Sequence, residues 1–158
     1  MGLLLLGACS GGLRDGQFAR DNVRYRVAAP PEAGWRRVSF AGNDLAWTAK
    51  GSGHLIALNA VCQDHGDPSL EVLTTHLLFG FDERTLTARK HETIDGRAAL
   101  RSLYEVSIDG VPAEVEVVVL KKNGCVHDFT YVSPRGARAT AQSTFDALVA
   151  GFAQESAP

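Results

Sequence analysis

Two stretches of this sequence carry cysteine, histidine and aspartate close together, residues 62–67 and 125–128. Side chains two apart in a strand share a face, so Cys125 and His127 would project together from a strand. If the two stretches are neighbours in the fold, they offer the two thiolates and two imidazoles of a tetrahedral zinc site. Their spacing is not that of a standard zinc knuckle, so we predict no metal and retain four weak candidate ligands. These are Cys62, His65, Cys125 and His127.

The second stretch also holds the residue types of a cysteine hydrolase. Cys125 could serve as nucleophile, His127 as base and Asp128 as the group that orients the base. In a regular strand, however, His127 and Asp128 point to opposite faces of the sheet. A cysteine in mid-strand also lacks the helix N-terminus that would lower its pKa. We therefore predict no catalytic residue and no enzymatic activity.

The N-terminus indicates where the protein resides. A short run of leucines is followed by two small residues and then by Cys9. The segment Leu6-Gly7-Ala8-Cys9 resembles the lipobox of bacterial lipoproteins, in which small residues precede the cleaved bond. The resemblance implies that residues 1–8 are a signal remnant and that Cys9 carries the lipid. The remnant has no basic region and is shorter than the usual ~7–15 apolar residues, so we expect its upstream part to precede Met1.

The same resemblance predicts how the chain is attached to the membrane. Residues 9–17 are polar and contain glycine, which is typical of a flexible tether. Ser10 stands where an aspartate would signal retention in the inner membrane, so we expect an outer-membrane lipoprotein that faces the periplasm. The alternative is a frayed N-terminus in which Cys9 is incidental.

Lipidation of Cys9 would leave Cys62 and Cys125 as an even pair in an oxidising compartment. Such a pair favours a disulfide over thiolate ligands or free thiols. A bridge across a loop of about 60 residues would stabilise the fold by around 4 kcal/mol in the chain-entropy model. We predict this disulfide, and two buried free thiols remain the alternative.

Composition sets the size and the class of the domain. The chain has 158 residues, of which 45% are hydrophobic and 22% charged, as in ordinary globular domains. Its net charge of −2 argues against a nucleic-acid partner. We expect one domain over residues 18–153, followed by a frayed tail over residues 154–158, and no cofactor.

The pattern along the chain alternates strands with two amphipathic helices. Asp109-Gly110 and Asn123-Gly124 each separate β-rich runs, which indicates hairpins. The run between them, 111–122, is apolar on both faces and predicts a central strand. Other strands are predicted near 23–28, 36–40, 45–49, 54–62, 85–94, 100–108 and 126–132.

Two segments have the apolar spacing of a helix instead. The first runs from Leu70 to Phe81 after Asp67-Pro68, a plausible N-cap, and the second runs from Ala141 to Phe152, with Ser133-Pro134 as its opening. The order of elements predicts an α+β fold in which a mostly antiparallel sheet is covered by two helices.

This layout resembles the PsbP-like α/β/α sandwich, which includes the DcrB-type bacterial lipoproteins. The resemblance covers residues 22–152. It is carried by Tyr25-x-Val27-x-x-Pro30 with Trp35, Asp95-Gly-Arg97, Cys125-Val-His-Asp-Phe-Thr-Tyr131 and Phe145-Asp-Ala-Leu-Val-Ala-Gly-Phe152.

Members of that family are largely accessory, assembly or binding proteins without a shared catalytic set. The resemblance therefore implies a non-catalytic binding or scaffolding role toward another envelope protein. A carrier of small ligands or lipids, with a cleft between sheet and helix, is the first alternative. A metal- or thiol-dependent envelope enzyme is the second.

Overall fold

The computed structural model describes residues 12–63 and 66–155. Eleven strands and two helices occur in this part of the chain. The strands are β1 (Gly12–Arg14), β2 (Gln17–Arg20), β3 (Val23–Arg26), β4 (Trp35–Val38), β5 (Leu45–Ala49), β6 (Leu55–Val61), β7 (Asp82–Ile94), β8 (Arg97–Ile108), β9 (Val111–Lys122), β10 (Cys125–Pro134) and β11 (Ala153–Gln154); the helices are α1 (Leu70–Leu77) and α2 (Gln142–Ala150).

Seven strands form the main sheet in the order β4-β5-β6-β10-β9-β8-β7, and every neighbouring pair is antiparallel. The predicted hairpin turns are present. Asp109 and Gly110 have φ values of 51° and 81°, and two consecutive positive φ angles match the right-handed twist of the flanking strands. The long strand β9 lies inside the sheet, as its apolar character on both faces predicts.

The side chains of β9 contribute to a separate core on each face of the main sheet. Val118 and Leu120 join a core that includes Phe129, Phe145 and the small sheet described below. Val115, Val117 and Val119 face the other way and join a core under α1. The fold is α+β, with an antiparallel sheet between two layers, as predicted.

A second, small sheet in the order β1-β2-β3-β11 lies over the first of these cores. It is joined to the main sheet by Arg20, whose Nε donates to Asp44 Oδ1 at 2.8 Å and whose Nη2 donates to the Ala60 carbonyl at 3.0 Å. The small sheet corrects two predicted segments. Gly12–Arg14 is a strand within the range expected to be a tether, and Gln154 pairs with Tyr25 in the range expected to fray.

The helix boundaries also differ from the predicted ones. Ser69, not Asp67, caps α1, because its hydroxyl accepts from the Val72 amide at 3.3 Å. Ser133-Pro134 ends β10 instead of opening α2, which begins at Gln142 after a short 3-10 turn over Arg138–Thr140. The apolar spacing predicts both helices correctly but not where they begin and end.

Candidate functional site

A disulfide joins Cys62 and Cys125, as predicted. The strand register brings the two residues together, since Val61 of β6 lies opposite Val126 of β10 and each cysteine is one step further along. Their Cα atoms are 4.0 Å apart. Neither sulfur is a thiolate in this state, so the proposed zinc ligands are not assembled.

The remaining two zinc candidates do not restore such a site. His65 lies outside the described residues. Across 12–63 and 66–155, no group of three or more His, Cys, Asp or Glu side chains is placed to hold a metal ion.

His127 is fully buried and packs against the rings of Tyr25 and Phe152. Its Nε2 lies 3.0 Å from Gln154 Oε1, and because an amide oxygen only accepts, Nε2 carries the proton and donates. Gln154 Nε2 in turn donates to Cys125 Sγ at 3.6 Å. Burial lowers the pKa of His127, which favours the neutral form of the ring. These contacts give His127 a packing role that links β11 to the disulfide.

Asp128 faces the opposite side of the sheet from His127, as the strand alternation predicts. Its residue exposure is 7%, and no hydrogen bond to its carboxylate exists among the described residues. Burial, assisted by the negative charge of Asp44, raises the pKa of Asp128 to about 7. The Cys125, His127 and Asp128 side chains therefore do not form a hydrolase triad, since the thiol is bonded and the other two are on different faces.

A groove of about 340 Å³ lies where β7, β8 and β9 extend beside α2 and the 3-10 turn. The register accounts for its floor: Lys90 of β7 lies opposite Arg101 of β8, and Leu103 of β8 lies opposite Glu116 of β9. We refer to it as the Glu116 groove. Its lining includes Ala88, Lys90, Arg101, Leu103, Glu116, Arg138, Gln142 and Asp146.

Glu116 is the buried centre of this groove, with a side chain that is only 4% exposed. Its Oε1 accepts from Arg101 Nη1 at 2.5 Å, and its Oε2 accepts from Arg138 Nη1 at 3.1 Å. Arg138 Nη1 also donates to the side-chain oxygen of Gln142 on α2. One buried carboxylate thus fixes two arginines that come from different elements.

Three further side chains contact the guanidinium of Arg101. Its Nε donates to Glu92 Oε1 at 2.9 Å, its Nη1 also reaches Asp146 Oδ1 at 3.1 Å, and its guanidinium lies over the Phe145 ring. Burial by itself lowers the pKa of Arg101, but hydrogen bonds and charges from Glu116 and Glu92 outweigh it and raise the pKa. The guanidinium is permanently charged and rigidly oriented, as a preformed binding surface requires.

Sequence reasoning did not identify this groove. A signal was present in β9, where Glu116 is a charged residue flanked by Val115 and Val117. A carboxylate on the face that carries Val118 and Leu120 must be paired when buried, so it predicts facing arginines. The partners Arg101 and Arg138 are 15 and 22 residues away in sequence, and only the fold identifies them.

Comparison with known proteins gives similarity in structure only. No protein-family model matches the sequence, and no curated protein is similar to it by sequence. The solution structure of the cyanobacterial PsbP protein CyanoP from Synechocystis is similar, with a TM-score of 0.61 and 14% identity over 98% of each chain.

The crystal structure of LpqN, a protein involved in cell envelope biogenesis of Mycobacterium tuberculosis, is similar at the same TM-score of 0.61. It is 12% identical over 85% of this chain and 86% of LpqN.

Within the described residues, no helix is long and apolar enough to cross a membrane. The lipobox segment and Cys9 lie outside those residues. The fold of this chain is that of the PsbP-like proteins.

Proposed function

We propose that this protein is a lipid-anchored, non-catalytic binding protein of the bacterial cell envelope, and that the Glu116 groove binds another envelope protein. The observation that carries the proposal is the groove itself. Two arginines from separate elements are fixed beside an open surface by a carboxylate that is 4% exposed. A surface organised before binding loses little side-chain entropy when a partner docks on it.

Three observations support an envelope location. The segment that precedes Cys9 resembles a lipobox. The disulfide between Cys62 and Cys125 is of the kind that persists in oxidising compartments. LpqN, a structural neighbour, is involved in cell envelope biogenesis.

Intact-mass spectrometry of protein extracted from bacterial membranes tests the anchor. The expected species begins at Cys9 and carries the added mass of a diacylglyceryl group. A Cys9→Ser variant should leave the membrane fraction. An unmodified cysteine in membrane-extracted protein would contradict the anchor.

The non-catalytic part of the proposal rests on the state of Cys62 and Cys125, the candidate nucleophile and metal ligands. Both thiols that could act as nucleophile or metal ligand are joined to each other. A carrier function has less support than a protein-binding function, because the Glu116 groove and a second groove lie open at the surface and include charged side chains in their lining. The second groove has a volume of about 490 Å³, and its lining includes Arg20, Arg37 and Asp44.

Co-purification from detergent-solubilised membranes tests the binding role of the groove. Ala88 is exposed and lines the groove without taking part in its ion pairs, so Ala88→Trp obstructs the surface and leaves the network intact. Ala98→Trp changes another exposed strand alanine, on the opposite face of the sheet, and is the matched control. We expect a specific companion with the wild-type and Ala98→Trp chains, and its loss with Ala88→Trp. A companion retained equally by all three chains would contradict the assignment.

A further inference from the structure

The outer face of the small sheet carries three arginines. In the register, Arg14 of β1 lies opposite Gln17, Gln17 lies opposite Arg26 of β3, and Arg24 lies opposite Ala19. Phe18, Val23 and Tyr25 alternate with these residues and are buried in the core. The arginines therefore project together, away from the core, and all three are exposed. We call Arg14, Arg24 and Arg26 the arginine face.

Among the residues that the structure describes, these arginines have no carboxylate partner, whereas Arg101 and Arg138 of the Glu116 groove do. No ion pair within 4.0 Å involves Arg14, Arg24 or Arg26 in the described part of the chain. The acidic side chain that borders them is Glu155, which lines a shallow groove with Arg24. Two further acids, Asp15 and Asp21, lie in the hairpin turns, and Asp21 Oδ2 is 3.7 Å from Arg20 Nη1. The outward side chains of the four strands therefore carry three positive charges and no negative one, and the acids lie in the turns and just after β11.

The length of chain between this face and the proposed anchor limits where the face can lie. Gly12 begins β1 only three residues after Cys9. Three residues span at most about 11 Å when fully extended. A lipid on Cys9 would hold that residue at the headgroups, so β1 must stay within about one Debye length of the bilayer surface.

We infer that the arginine face docks the domain onto the anionic phospholipid headgroups of the membrane that holds the anchor. The inference rests on the proposed lipidation of Cys9. Charge and position agree: a bilayer containing anionic lipid attracts basic side chains near its surface, and the short tether leaves this sheet beside it. The small side chains on the same face, Gly12, Ala19 and Ala153, allow a close approach.

Vesicle co-sedimentation tests the face independently of lipidation when the full chain carries Cys9→Ser. The vesicles are phosphatidylcholine alone or a 7:3 mixture with phosphatidylglycerol, at low salt. Each arginine near an anionic surface favours binding by about fivefold, so R14Q/R24Q/R26Q should lower the partition coefficient onto the mixed vesicles on the order of 100-fold. R36Q/R37Q/R135Q removes the same charge from exposed arginines elsewhere and should change it less than about fivefold.

A second measurement uses the tethered chain. Cys62 and Cys125 are bonded to each other, so the thiol of Cys9 can be coupled to a maleimide lipid in either vesicle. Hydrogen exchange over residues 12–26 should slow on the phosphatidylglycerol vesicles and not on phosphatidylcholine alone, and 0.5 M salt should abolish the difference.

Equal partition onto both vesicles, or an equal loss in the two triple variants, overturns the inference. The same exchange rate on both vesicles also does so. Equal exchange rates would instead favour an acidic protein, rather than lipid, as the partner of the arginine face. Failure to find lipid on Cys9 in cells is a separate result, because neither vesicle measurement depends on cellular processing.

Discussion

The bonded cysteines lie at the paired ends of β6 and β10, near the middle of the main sheet. Their separation of 63 residues means that the disulfide closes a long loop, which contains α1 and all of β7, β8 and β9. In the unfolded chain that closure removes many conformations, so the bridge should contribute mainly through the unfolded state.

Replacing both cysteines should therefore destabilise the domain without changing its fold. We expect C62A/C125A to lower the free energy of unfolding by about 4 kcal/mol, as measured by urea denaturation. Wild type treated with reductant is the control, and it should show a similar loss. A change below about 1 kcal/mol would mean that the loop is already constrained in the unfolded state.

The raised pKa of Asp128 predicts that the folding stability of the domain depends on pH in an unusual way. Its folded pKa of about 7 lies above the ordinary aspartate value near 3.9. Between these values the folded state binds more protons than the unfolded state, so the contribution of Asp128 to stability falls as the pH rises. The neutral, isosteric Asp128→Asn removes this cost.

We expect Asp128→Asn to be more stable than wild type by roughly 2–4 kcal/mol at pH 8 and nearly equal to it at pH 4, because one pKa unit corresponds to about 1.4 kcal/mol. Urea denaturation at both pH values measures this difference. Asp82→Asn, at an exposed carboxylate, is the control for removing one charge. A variant that gains no stability at pH 8 relative to pH 4 would show that Asp128 is ionised without cost.

The elements that sequence predicts best are those with strong local signals. The hairpin between β8 and β9 follows from Asp109-Gly110, and the central position of β9 follows from its apolar residues on both faces. Segments with little local signal were missed. β1 and β11 have only three and two residues, and they are strands because the register of β2 and β3 provides them with partners.

Gly151 shows how closely α2 approaches the small sheet. It follows α2, and a Cβ built on it would lie 2.8 Å from the Ala28 Cβ and 2.9 Å from the Ala28 backbone nitrogen. Ala28 follows β3, so the contact cannot be relieved by rotating a flexible side chain. No local sequence signal distinguishes this glycine from those in turns.

We predict that Gly151→Ala destabilises the domain by about 1–3 kcal/mol, the usual cost of overpacking. Gly80→Ala is the matched control, because a Cβ there meets nothing within 4 Å. Thermal or urea denaturation of both variants measures the contrast. Equal stability of the two variants would mean that α2 can shift away from Ala28 at no cost.

At the scale of the whole molecule, the Glu116 groove and the arginine face are charged surfaces of different kinds. In the Glu116 groove, Arg101 and Arg138 are fixed by buried or half-buried carboxylates. On the arginine face, no carboxylate of residues 12–63 or 66–155 forms an ion pair with the three cations. The sequence contains both sets of residues at scattered positions, and it could not separate them, because the difference lies in which side chains the sheet register brings together.

This difference suggests a division of roles. A surface of fixed, paired charges offers specific hydrogen-bond geometry and suits recognition of one protein partner. A surface of free cations offers attraction without geometric demand and suits a fluid lipid surface. In the proposed arrangement, one face holds the domain at the membrane and the groove remains available for binding.

Site-specific photocrosslinking in intact cells tests the central claim, which is that the groove binds an envelope protein. A photoreactive benzoylphenylalanine is placed at position 88 within the groove, or at position 98 on the opposite face of the sheet. We predict one discrete, ultraviolet-dependent adduct of higher mass from position 88, and none of that mass from position 98. No adduct from position 88, or the same adduct from both positions, would contradict the claim.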